Sequence, residues 1–500
     1  MICDSRQSMD MAEKKTVARR SESPGQPLYQ AICDDFVFAI KSGVYSPNQK
    51  LPSVRDTSSR YGVSIPTVIQ AYGNLEVMGL VEARERSGYF VLPPQKAHDA
   101  ASVQANSDEA LPPRLGGMVR WMFDSAHLTN AAPIGVDLPS LELYPVHKID
   151  MIMARICRSQ SRLVNDYCDV SGLPELRQII ARRLLADGCP MHPDDIIITS
   201  GGQEALQLCL RATTRPGDTV VVESPTYYGV LLAAEALDVK VIEVPSDPQL
   251  GLSPDVLEAL LDREKGGISA VVVMPNFSNP TGCLMPDEAK KRLVKICVDR
   301  GIPLIEDDTN RELYFGRSRP LPLRVFDPSG NTVLCSSFSK TISPGLRVGF
   351  AAPGRFLERT LDLKFCTSIS TATLSQLAAA EFLGSKMYER HLKKLREAFS
   401  AQIETMIQVI DEKWPENVEI YRPRGGYFLW MKLPENFDCM RLHTLAQRSR
   451  INIAPGAMFT SRTDLSRYIR LNAGRMWSPK IERAVNKLGD IIRGYHAEVD

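Results

Sequence analysis

The alternation of short β-like runs with helical patterns constrains the fold of this chain more than any other feature. Seven apolar runs predict β-strands, and they lie at residues 195–199, 220–223, 239–244, 270–274, 303–306, 332–335 and 347–351. Helical patterns separate most of these runs, for example at residues 203–211 and 253–261. Strands that alternate with helices form a mostly parallel sheet covered by helices on both faces. The sequence therefore predicts an α/β body.

The segments around these strands predict how the 500 residues are divided. We expect a disordered tail at 1–25, a separate N-terminal domain at 26–93, a linker at 94–120 and the body at 121–500. The linker is rich in Pro, Ala, Ser, Gln and Asp and has no sustained period. Within the body, a large sheet part is expected at about 170–365 and a smaller α+β part at about 366–500.

Composition excludes several classes of protein. No stretch approaches the roughly 18 consecutive apolar residues that a membrane helix needs, and the polar start lacks the apolar core of a signal peptide. The 11 cysteines are scattered without a C-x-x-C pair, which argues against a disulfide framework and a zinc ribbon. The sequence therefore predicts a soluble cytoplasmic protein with no membrane contact and no metal site.

The N-terminal domain is expected to contain a helix-turn-helix and a wing. Apolar residues at helical spacing predict a first helix over 28–40. Pro52 is expected at the first position of the second helix, Gly62 in the turn that ends it, and Ser64 as the cap of the third. Two extended runs then follow, 80–84 and 89–91, which predict a two-stranded hairpin.

A helix-turn-helix places its second helix in the major groove of DNA, where polar side chains meet phosphates and base edges. The candidates for such contacts are Arg55, Ser64, Thr67, Arg84, Arg86 and Gly88. However, residues 1–95 hold 11 Lys and Arg against 10 Asp and Glu, and the net charge of the chain is +1. From spacing alone, a DNA-binding domain and a plain interaction module both remain open.

The motifs of this domain resemble the winged helix of the GntR family of bacterial regulators. They are Leu51-Pro-Ser-Val-Arg55, Tyr61-Gly-Val-Ser64, Thr67-Val68, Ala71-Tyr72, Leu75, Gly79-Leu-Val81 and Ser87-Gly-Tyr-Phe-Val91. The resemblance implies that Arg55, Ser64 and Thr67 face DNA and that Gly88 lies near the DNA backbone. Ile65 and Ile69 depart from the pattern, because relatives often carry basic or polar residues there.

In the body, several strand exits carry residues suited to an aldehyde cofactor. Parallel sheets form sites beyond the carboxyl ends of their strands. Glycines after Ser200 could close around a phosphate, and Lys340 follows another strand in a serine-rich segment, with Arg347 seven residues on. Asp307 ends a third strand, where a carboxylate could pair with a pyridinium nitrogen. Each has a simpler alternative: a common glycine turn, a solvated lysine or a helix cap.

Together these segments resemble, in order, the motif set of the fold-type I, class I/II aminotransferase family over residues 130–500. The motifs are Tyr167, Gly172-Leu-Pro-Glu-Leu-Arg177, Ser200-Gly-Gly-Gln-Glu-Ala205, Pro225-Thr-Tyr227, Asn279-Pro-Thr-Gly282, Glu306-Asp-Asp308, Ser337-Phe-Ser-Lys340, Gly345-Leu-Arg347 and Arg470-Leu471. So many motifs in order do not arise by chance. The family is pyridoxal-phosphate-dependent, and the resemblance implies that this cofactor binds here.

The resemblance also assigns roles to individual residues. Lys340 would form the internal aldimine, Asp307 would pair with the ring nitrogen, Asn279 would bond the ring hydroxyl oxygen, and Tyr227 would stack on the ring. The phosphate would be held by Gly202, Gln203, Ser337, Ser339 and Arg347, while Tyr167 would reach the partner subunit's phosphate. Arg470 would bind the α-carboxylate of an amino acid. Asn310 departs from the family, which often has a tyrosine there.

A GntR-like head joined to an aminotransferase-like body resembles the MocR subfamily of transcriptional regulators. This implies a homodimer that binds paired half-sites on double-stranded DNA and senses an amino acid or amine through aldimine chemistry at Lys340, with at most residual transaminase activity. The alternatives are an aminotransferase with an accessory DNA-binding module, and a DNA-binding protein whose body has lost the cofactor. The retained Lys340, Asp307 and Arg347 argue against the last.

Overall fold

A computed structural model describes residues 28–41, 44–84, 87–92, 115–120, 131–264, 266–461 and 465–495. The chain divides into two compact units, Met1–Gln104 and Ala105–Asp500. The predicted tail at 1–25 and Arg86 lie outside the described residues. One end of the predicted linker is structured, since residues 116–120 are helical and Leu115 and Val119 pack in the core of the second unit.

The first unit has the predicted helix-turn-helix and wing. Its elements are α1 (Leu28–Lys41), α2 (Val54–Tyr61), α3 (Ile65–Val77), β1 (Val81–Arg84) and β2 (Gly88–Val91), and the two strands pair antiparallel. Gly62 ends α2 with φ +65°, and Ser64 caps α3. The prediction for Pro52 was wrong by two residues, because the Ser53 side chain accepts a hydrogen bond from the backbone N–H of Asp56 and so becomes the cap of α2.

Tyr72 joins the elements of this unit. Its ring lies edge-on to Phe36 of α1 with centroids 5.3 Å apart, and 5.0 Å from the ring of Tyr89 in β2. Its hydroxyl lies 2.7 Å from Oγ1 of Thr57 in α2. A single buried tyrosine of α3 therefore fixes the position of this helix against all the other layers of the domain.

The second unit contains the predicted alternation of strands and helices. Its strands are β3 (Ile197–Thr199), β4 (Thr219–Ser224), β5 (Lys240–Pro245), β6 (Ala270–Val273), β7 (Leu304–Asp307), β8 (Thr332–Ser337), β9 (Gly349–Ala352), β10 (Glu419–Tyr421), β11 (Phe428–Lys432), β12 (Ala454–Pro455) and β13 (Tyr468–Asn472). Its helices are α4 (Val146–Ser159), α5 (Ser161–Val164), α6 (Pro174–Ala186), α7 (Gly202–Thr213), α8 (Tyr228–Ala236), α9 (Pro254–Glu264), α10 (Asp287–Asp299), α11 (Leu357–Ser368), α12 (Thr373–Leu383), α13 (Lys386–Lys413), α14 (Cys439–Arg448) and α15 (Pro479–Arg493). No helix within these described stretches is long and apolar enough to cross a membrane.

The first seven strands form one sheet in the order β3-β9-β8-β7-β6-β4-β5. All neighbouring strands are parallel except β9, which runs antiparallel to both β3 and β8. Buried cores lie against the sheet and its helices, so the predicted mostly parallel α/β body is confirmed. The carboxyl ends of β3, β4, β6, β7 and β8 therefore meet at one edge of the sheet.

The remaining strands form an antiparallel sheet in the order β10-β11-β13-β12, which packs with α13, α14 and α15 as the predicted smaller α+β part. A segment from before the large sheet joins it. Ala132 bridges Ile451, and the side chain of Asn472 donates hydrogen bonds to the carbonyl oxygens of Val136 and Leu138. Residues 132–138 thus run along the small sheet and are held in place there.

Candidate functional site

The strand register brings the glycine loop and the serine segment together. Gly349 of β9 lies opposite Thr199 of β3 on one side and opposite Ser337 of β8 on the other. The chain leaves β3 through Ser200 and Gly201 and enters α7 at Gly202. The N-terminus of α7, with its free N–H groups, therefore lies beside the end of β8.

Arg347 and two serines line this helix terminus. The guanidinium of Arg347 donates to Oγ of Ser339 at 3.2 Å and to the carbonyl oxygen of Ser200 at 2.9 Å, and Ser337 Oγ lies 2.9 Å from Ser339 Oγ. Across the described ranges these bonds go to hydroxyls and carbonyls, and no carboxylate pairs with Arg347. A cation, two hydroxyls and a helix N-terminus at one place are groups that could hold a phosphate.

The glycines of this loop are required by close packing. Gly201 has φ +83°, and a Cβ there would overlap the guanidinium of Arg347. A Cβ on Gly202 would lie 3.2 Å from Cβ of Ser337 and 3.3 Å from Oγ1 of Thr309. The backbone can therefore approach the serines and the arginine only because both positions lack a side chain.

Gln203 contributes less than the sequence suggests. Its side-chain amide donates to the carbonyl oxygen of Gly229 at 2.8 Å, away from the serines. Its backbone N–H still belongs to the first turn of α7. The structure thus brings the main chain of Gln203 to the cluster, while its side chain holds the start of α8.

Asp307 ends β7 as a buried carboxylate. Its Oδ1 accepts hydrogen bonds from the backbone N–H of Thr309 at 3.1 Å and from the Thr309 hydroxyl at 2.6 Å. Burial raises the pKa of the Asp307 carboxyl above its usual value, and the bonds from Thr309 act in the opposite direction. No lysine or arginine of the described chain pairs with it, so this carboxylate could pair with a cationic group of a ligand.

Lys340 lies against an acid that the sequence analysis did not single out. Its Nζ donates to Oδ1 of Asp137 and to the backbone carbonyl oxygen of Asp137, both at 2.8 Å. The Tyr427 hydroxyl donates to the same carboxylate at 2.6 Å. The lysine amine is thus held at a fixed point at the mouth of the sheet.

Asn279 and Arg470 lie next to this ion pair. Nδ2 of Asn279 donates to Oδ2 of Asp137 at 3.1 Å, and Nη1 of Arg470 donates to Oδ1 of Asn279 at 2.6 Å. Arg470 is 1% exposed, its Nη2 bonds the carbonyl oxygen of Gly135, and its Nε has no hydrogen-bond partner. No carboxylate among the described residues pairs with this buried cation, which is the environment expected of a site for a ligand carboxylate.

The two tyrosines of the predicted site differ in exposure. Tyr227 is half-buried beside Tyr228, with ring centroids 4.6 Å apart, and burial raises the pKa of its phenol well above the usual value, which keeps it neutral. Gly229 permits this packing, because a Cβ there would overlap the Tyr227 ring. Tyr167 is 78% exposed, and a single chain does not bring it into the cluster. Its contact with a partner subunit stays a prediction.

Asn310 is 2% exposed and donates its amide to the carbonyl oxygen of Phe277 at 2.8 Å, while its Oδ1 is buried without a hydrogen-bond partner. Phe277 begins the turn that carries Asn279, and it has φ +57°. Asn310, where the resemblance leads us to expect a tyrosine, therefore stabilises this turn.

In the first unit, the predicted DNA-contacting residues lie at the start of α3 and on α2. Arg55 is exposed on α2. The hydroxyls of Ser64 and Thr67 lie 2.7 Å apart, and both serve the cap of α3. Ile65 and Ile69 are 44% and 43% exposed, so the outer face of this helix is partly apolar.

The wing is less basic than the sequence suggests. Arg84 donates to Glu82 at 2.6 Å and its guanidinium lies 4.4 Å from the centre of the Phe90 ring, so its charge is already paired. Gly88 has φ +104°, and a Cβ there would lie 3.0 Å from Cε of Lys50. Lys50 is exposed beside the wing and was missed, because it lies outside the helical patterns.

Asp137 and Tyr427 were missed for a different reason. Asp137 is a lone carboxylate in the apolar run 131–138, and this was the one available signal. Tyr427 precedes β11 and contacts Asp137 across 290 positions of the chain. Neither contact can be read from local spacing, because the small sheet brings both residues to Lys340.

Comparisons with known proteins agree with this geometry. Residues 144–488 match the family Aminotransferase class I and II, and residues 28–91 match the family Bacterial regulatory proteins, gntR family. The chain therefore belongs to the aminotransferase class I and II family and carries a gntR-family head, which is the architecture of MocR regulators.

Individual relatives show both halves of this architecture. The HTH-type transcriptional regulator YdcR of Escherichia coli (strain K12) is 35% identical over 466 residues, 93% of this chain and 99% of YdcR. The 2-aminoadipate transaminase of Thermus thermophilus is 31% identical over 72% of this chain and 90% of its own. The crystal structure of LysN, an α-aminoadipate aminotransferase of Thermus thermophilus, has a TM-score of 0.70 and 29% identity, and covers 76% of this chain and 95% of LysN. That structure of LysN is a complex with N-(5'-phosphopyridoxyl)-L-leucine.

Proposed function

We propose that this protein binds pyridoxal phosphate at Lys340 and senses an amino acid or an amine there, and that the ligand changes how its head binds DNA. The observation that carries the proposal is one set of charges at one edge of the sheet. Lys340, Asp307, Arg347 and Arg470 meet there, and only Lys340 has an oppositely charged partner among the described residues. Asp307 and Arg470 are buried, and a buried charge without a partner is costly unless a ligand completes it.

The residues present fit the cofactor. The glycine backbone at the start of α7, with Ser337, Ser339 and Arg347, provides donors for a dianionic phosphate. Asp307, which is buried and has no cation beside it among the described residues, would hold the proton at the ring nitrogen. The Tyr227 ring offers an aromatic face for stacking.

When bound, pyridoxal phosphate supplies an aldehyde that condenses with primary amines and a ring that accepts electrons. Lys340 provides the amine that anchors it, and Asp137 orients this amine through two bonds to Nζ. Asn279 lies within reach of the same point and connects it to Arg470. Arg470 would bind the carboxylate of an incoming amino acid by its two-pronged guanidinium.

The N-terminal head is the part of the protein that would bind DNA. The gntR-family domain implies DNA binding, with Arg55 and the start of α3 as the expected contact surface. We propose a homodimer in which Tyr167, exposed in one chain, reaches the phosphate of its partner, so that two heads bind paired half-sites. A protein with this task is expected in the cytoplasm, where chromosomal DNA and amino acids meet.

The second candidate function is that of an amino-acid aminotransferase with an accessory head. It is favoured by the complete set of Lys340, Asp307 and Arg470, and by the match of the body to a 2-aminoadipate transaminase. The two functions differ in turnover: a transaminase converts an amino acid with a 2-oxoacid acceptor, and a sensor only binds it.

The test uses full-length protein reconstituted with pyridoxal phosphate. DNA sites are selected from a random duplex pool, and their affinity is measured by fluorescence anisotropy with and without each standard amino acid. In parallel, transfer of the amino group to 2-oxoglutarate is followed. A ligand-dependent change in DNA affinity with negligible turnover supports the sensor. Efficient turnover with unchanged DNA affinity would favour the enzyme.

A further inference from the structure

Asp137 occupies a place in the site that neither the cofactor roles nor the family motifs explain. It is 8% exposed, and its carboxylate accepts hydrogen bonds from Lys340 Nζ at 2.8 Å, Tyr427 Oη at 2.6 Å and Asn279 Nδ2 at 3.1 Å. Of these three donors only Lys340 carries a charge. Within the described part of the chain, Asp137 is therefore a buried anion whose one charged partner is Lys340, the amine proposed to bind the cofactor.

The position of this carboxylate is set by the small sheet. Arg470 donates to the carbonyl oxygen of Gly135 at 2.6 Å, and the Asn472 side chain donates to Val136 at 2.6 Å and Leu138 at 2.8 Å. The backbone on both sides of Asp137 is thus fixed. The segment that carries this carboxylate cannot leave the site without breaking these three bonds.

A ligand amine that takes the place of Lys340 would meet the same carboxylate. If it did not carry a positive N–H group, a buried carboxylate would be left without a cation, which is strongly unfavourable. Asp137 therefore favours ligands that present an ammonium group at this point.

Asn279 places a candidate site for a ligand carboxylate next to the candidate site for its ammonium group. One end of its amide bonds Asp137, and the other end bonds Arg470, the buried arginine without a carboxylate. An anion and a cation are thus separated by a single amide group. The anion, Asp137, would match the ammonium group of an amino acid, and the cation, Arg470, would match the adjacent carboxylate.

We propose that Asp137 recognises the ammonium group of the effector, and that together with Arg470 it restricts the effector to zwitterionic amino acids rather than simple amines. This inference rests on the effector site proposed above and decides between its two ligand classes. A simple amine would pair with the Asp137 carboxylate but would leave Arg470 without a carboxylate partner. A simple carboxylate satisfies Arg470 but brings no charge to Asp137.

The test is isothermal titration calorimetry on full-length protein reconstituted with pyridoxal phosphate. The probes are the standard L-amino acids, with ethylamine and propionate as the two half-ligands. We expect at least one amino acid to bind about tenfold or more tightly than either half-ligand, since each charge-assisted bond adds to affinity. Asp137→Asn should weaken that amino acid about tenfold or more and leave propionate unchanged.

Tyr427→Phe is the matched variant, because it removes a neutral donor to Asp137 and keeps the charge. It should weaken the amino acid less than Asp137→Asn does. Lys340→Ala without pyridoxal phosphate gives a second background, in which no covalent bond to the amine can form: ethylamine should bind it, and the double variant Lys340→Ala with Asp137→Asn should lose this binding. Circular dichroism and binding to the selected DNA show whether each variant is folded.

Three results would overturn the inference: equal amino-acid affinity in Asp137→Asn and the parent, ethylamine as tight as the best amino acid, or no amino-acid binding. If Asp137→Asn is unfolded, the inference is tested by ethylamine binding to Lys340→Ala. If ethylamine does not bind that variant, the inference is also overturned. The proposed function fails differently, namely when amino acids bind as expected and DNA affinity does not respond.

Discussion

Arg347 donates a 2.9 Å hydrogen bond to the carbonyl oxygen of Ser200, and this contact joins the two loops that would hold the cofactor phosphate. Arg347 follows β8 in the chain, has φ +51° and reaches back across the sheet edge to the loop after β3. Gly201 makes the contact possible, because any side chain there would displace the guanidinium. The geometry of the proposed phosphate site therefore depends on Gly201 and Arg347.

Replacing this glycine should abolish cofactor binding. In Gly201→Ala, the new methyl group overlaps Arg347, so we expect the affinity for pyridoxal phosphate to fall about a hundredfold or more, equivalent to about 2.7 kcal/mol. The measurement is a titration of cofactor-free protein followed by the visible absorption of the bound cofactor.

Gly217→Ala is the control for backbone strain. Gly217 has φ +87°, close to the +83° of Gly201, and a Cβ there would meet no atom within 4 Å. It should lose about 1 kcal/mol of stability and bind the cofactor normally. Equal cofactor affinity in both variants would show that the phosphate does not bind at this loop.

Buried Glu223 predicts a pH dependence of stability. It is 1% exposed, accepts a 2.8 Å bond from the backbone N–H of Met274, and burial raises its pKa to about 7. In the folded state this carboxyl therefore keeps its proton up to about pH 7, whereas in the unfolded state it loses the proton at about pH 4.5. Stability should fall as pH rises between these two values, by as much as about 1.4 kcal/mol per pH unit, and level off above pH 7.

The measurement is the urea midpoint of unfolding from pH 5 to 8. Glu223→Gln removes the titrating group, so its stability should fall less steeply with pH than that of the parent. Glu288→Gln, whose side chain is 78% exposed, is the control and should follow the parent. Parallel curves for Glu223→Gln and the parent would contradict a protonated Glu223.

In the head, Arg55 is expected to contact a DNA phosphate. Arg55→Ala should weaken binding to selected DNA and reduce the slope of log affinity against log salt by about one unit. Lys393→Ala removes the same charge from a side chain of α13 that is 74% exposed, and it should change neither quantity. An unchanged salt slope in Arg55→Ala would show that this arginine does not neutralise a phosphate.

The strands and the caps were predictable because they depend on local sequence. Each predicted strand of the large sheet is present, and Gly62 and Ser64 end and begin their helices as expected, since turn and cap chemistry is carried by single residues. The error of two residues at Pro52 is also local, because the Ser53 side chain caps the helix and so makes Val54 its first residue.

Side-chain partners were not predictable where distant segments meet. The amide of Gln203 bonds Gly229, and the charge of Arg84 is paired with Glu82. Asp137 reaches Lys340 only because the segment before the large sheet runs along the small sheet. A motif fixes residue types at a site, whereas the pairing of their polar atoms depends on tertiary packing.

The central claim is that a ligand bound at Lys340 controls DNA binding. The most direct test compares the parent protein with the double variant Lys340→Ala with Asp137→Asn, both supplied with pyridoxal phosphate and the amino acid that the parent binds, by fluorescence anisotropy on the selected DNA. We expect the amino acid to change the DNA affinity of the parent, and the double variant to bind DNA with an affinity that the amino acid does not alter. An equal response in both proteins would contradict the account.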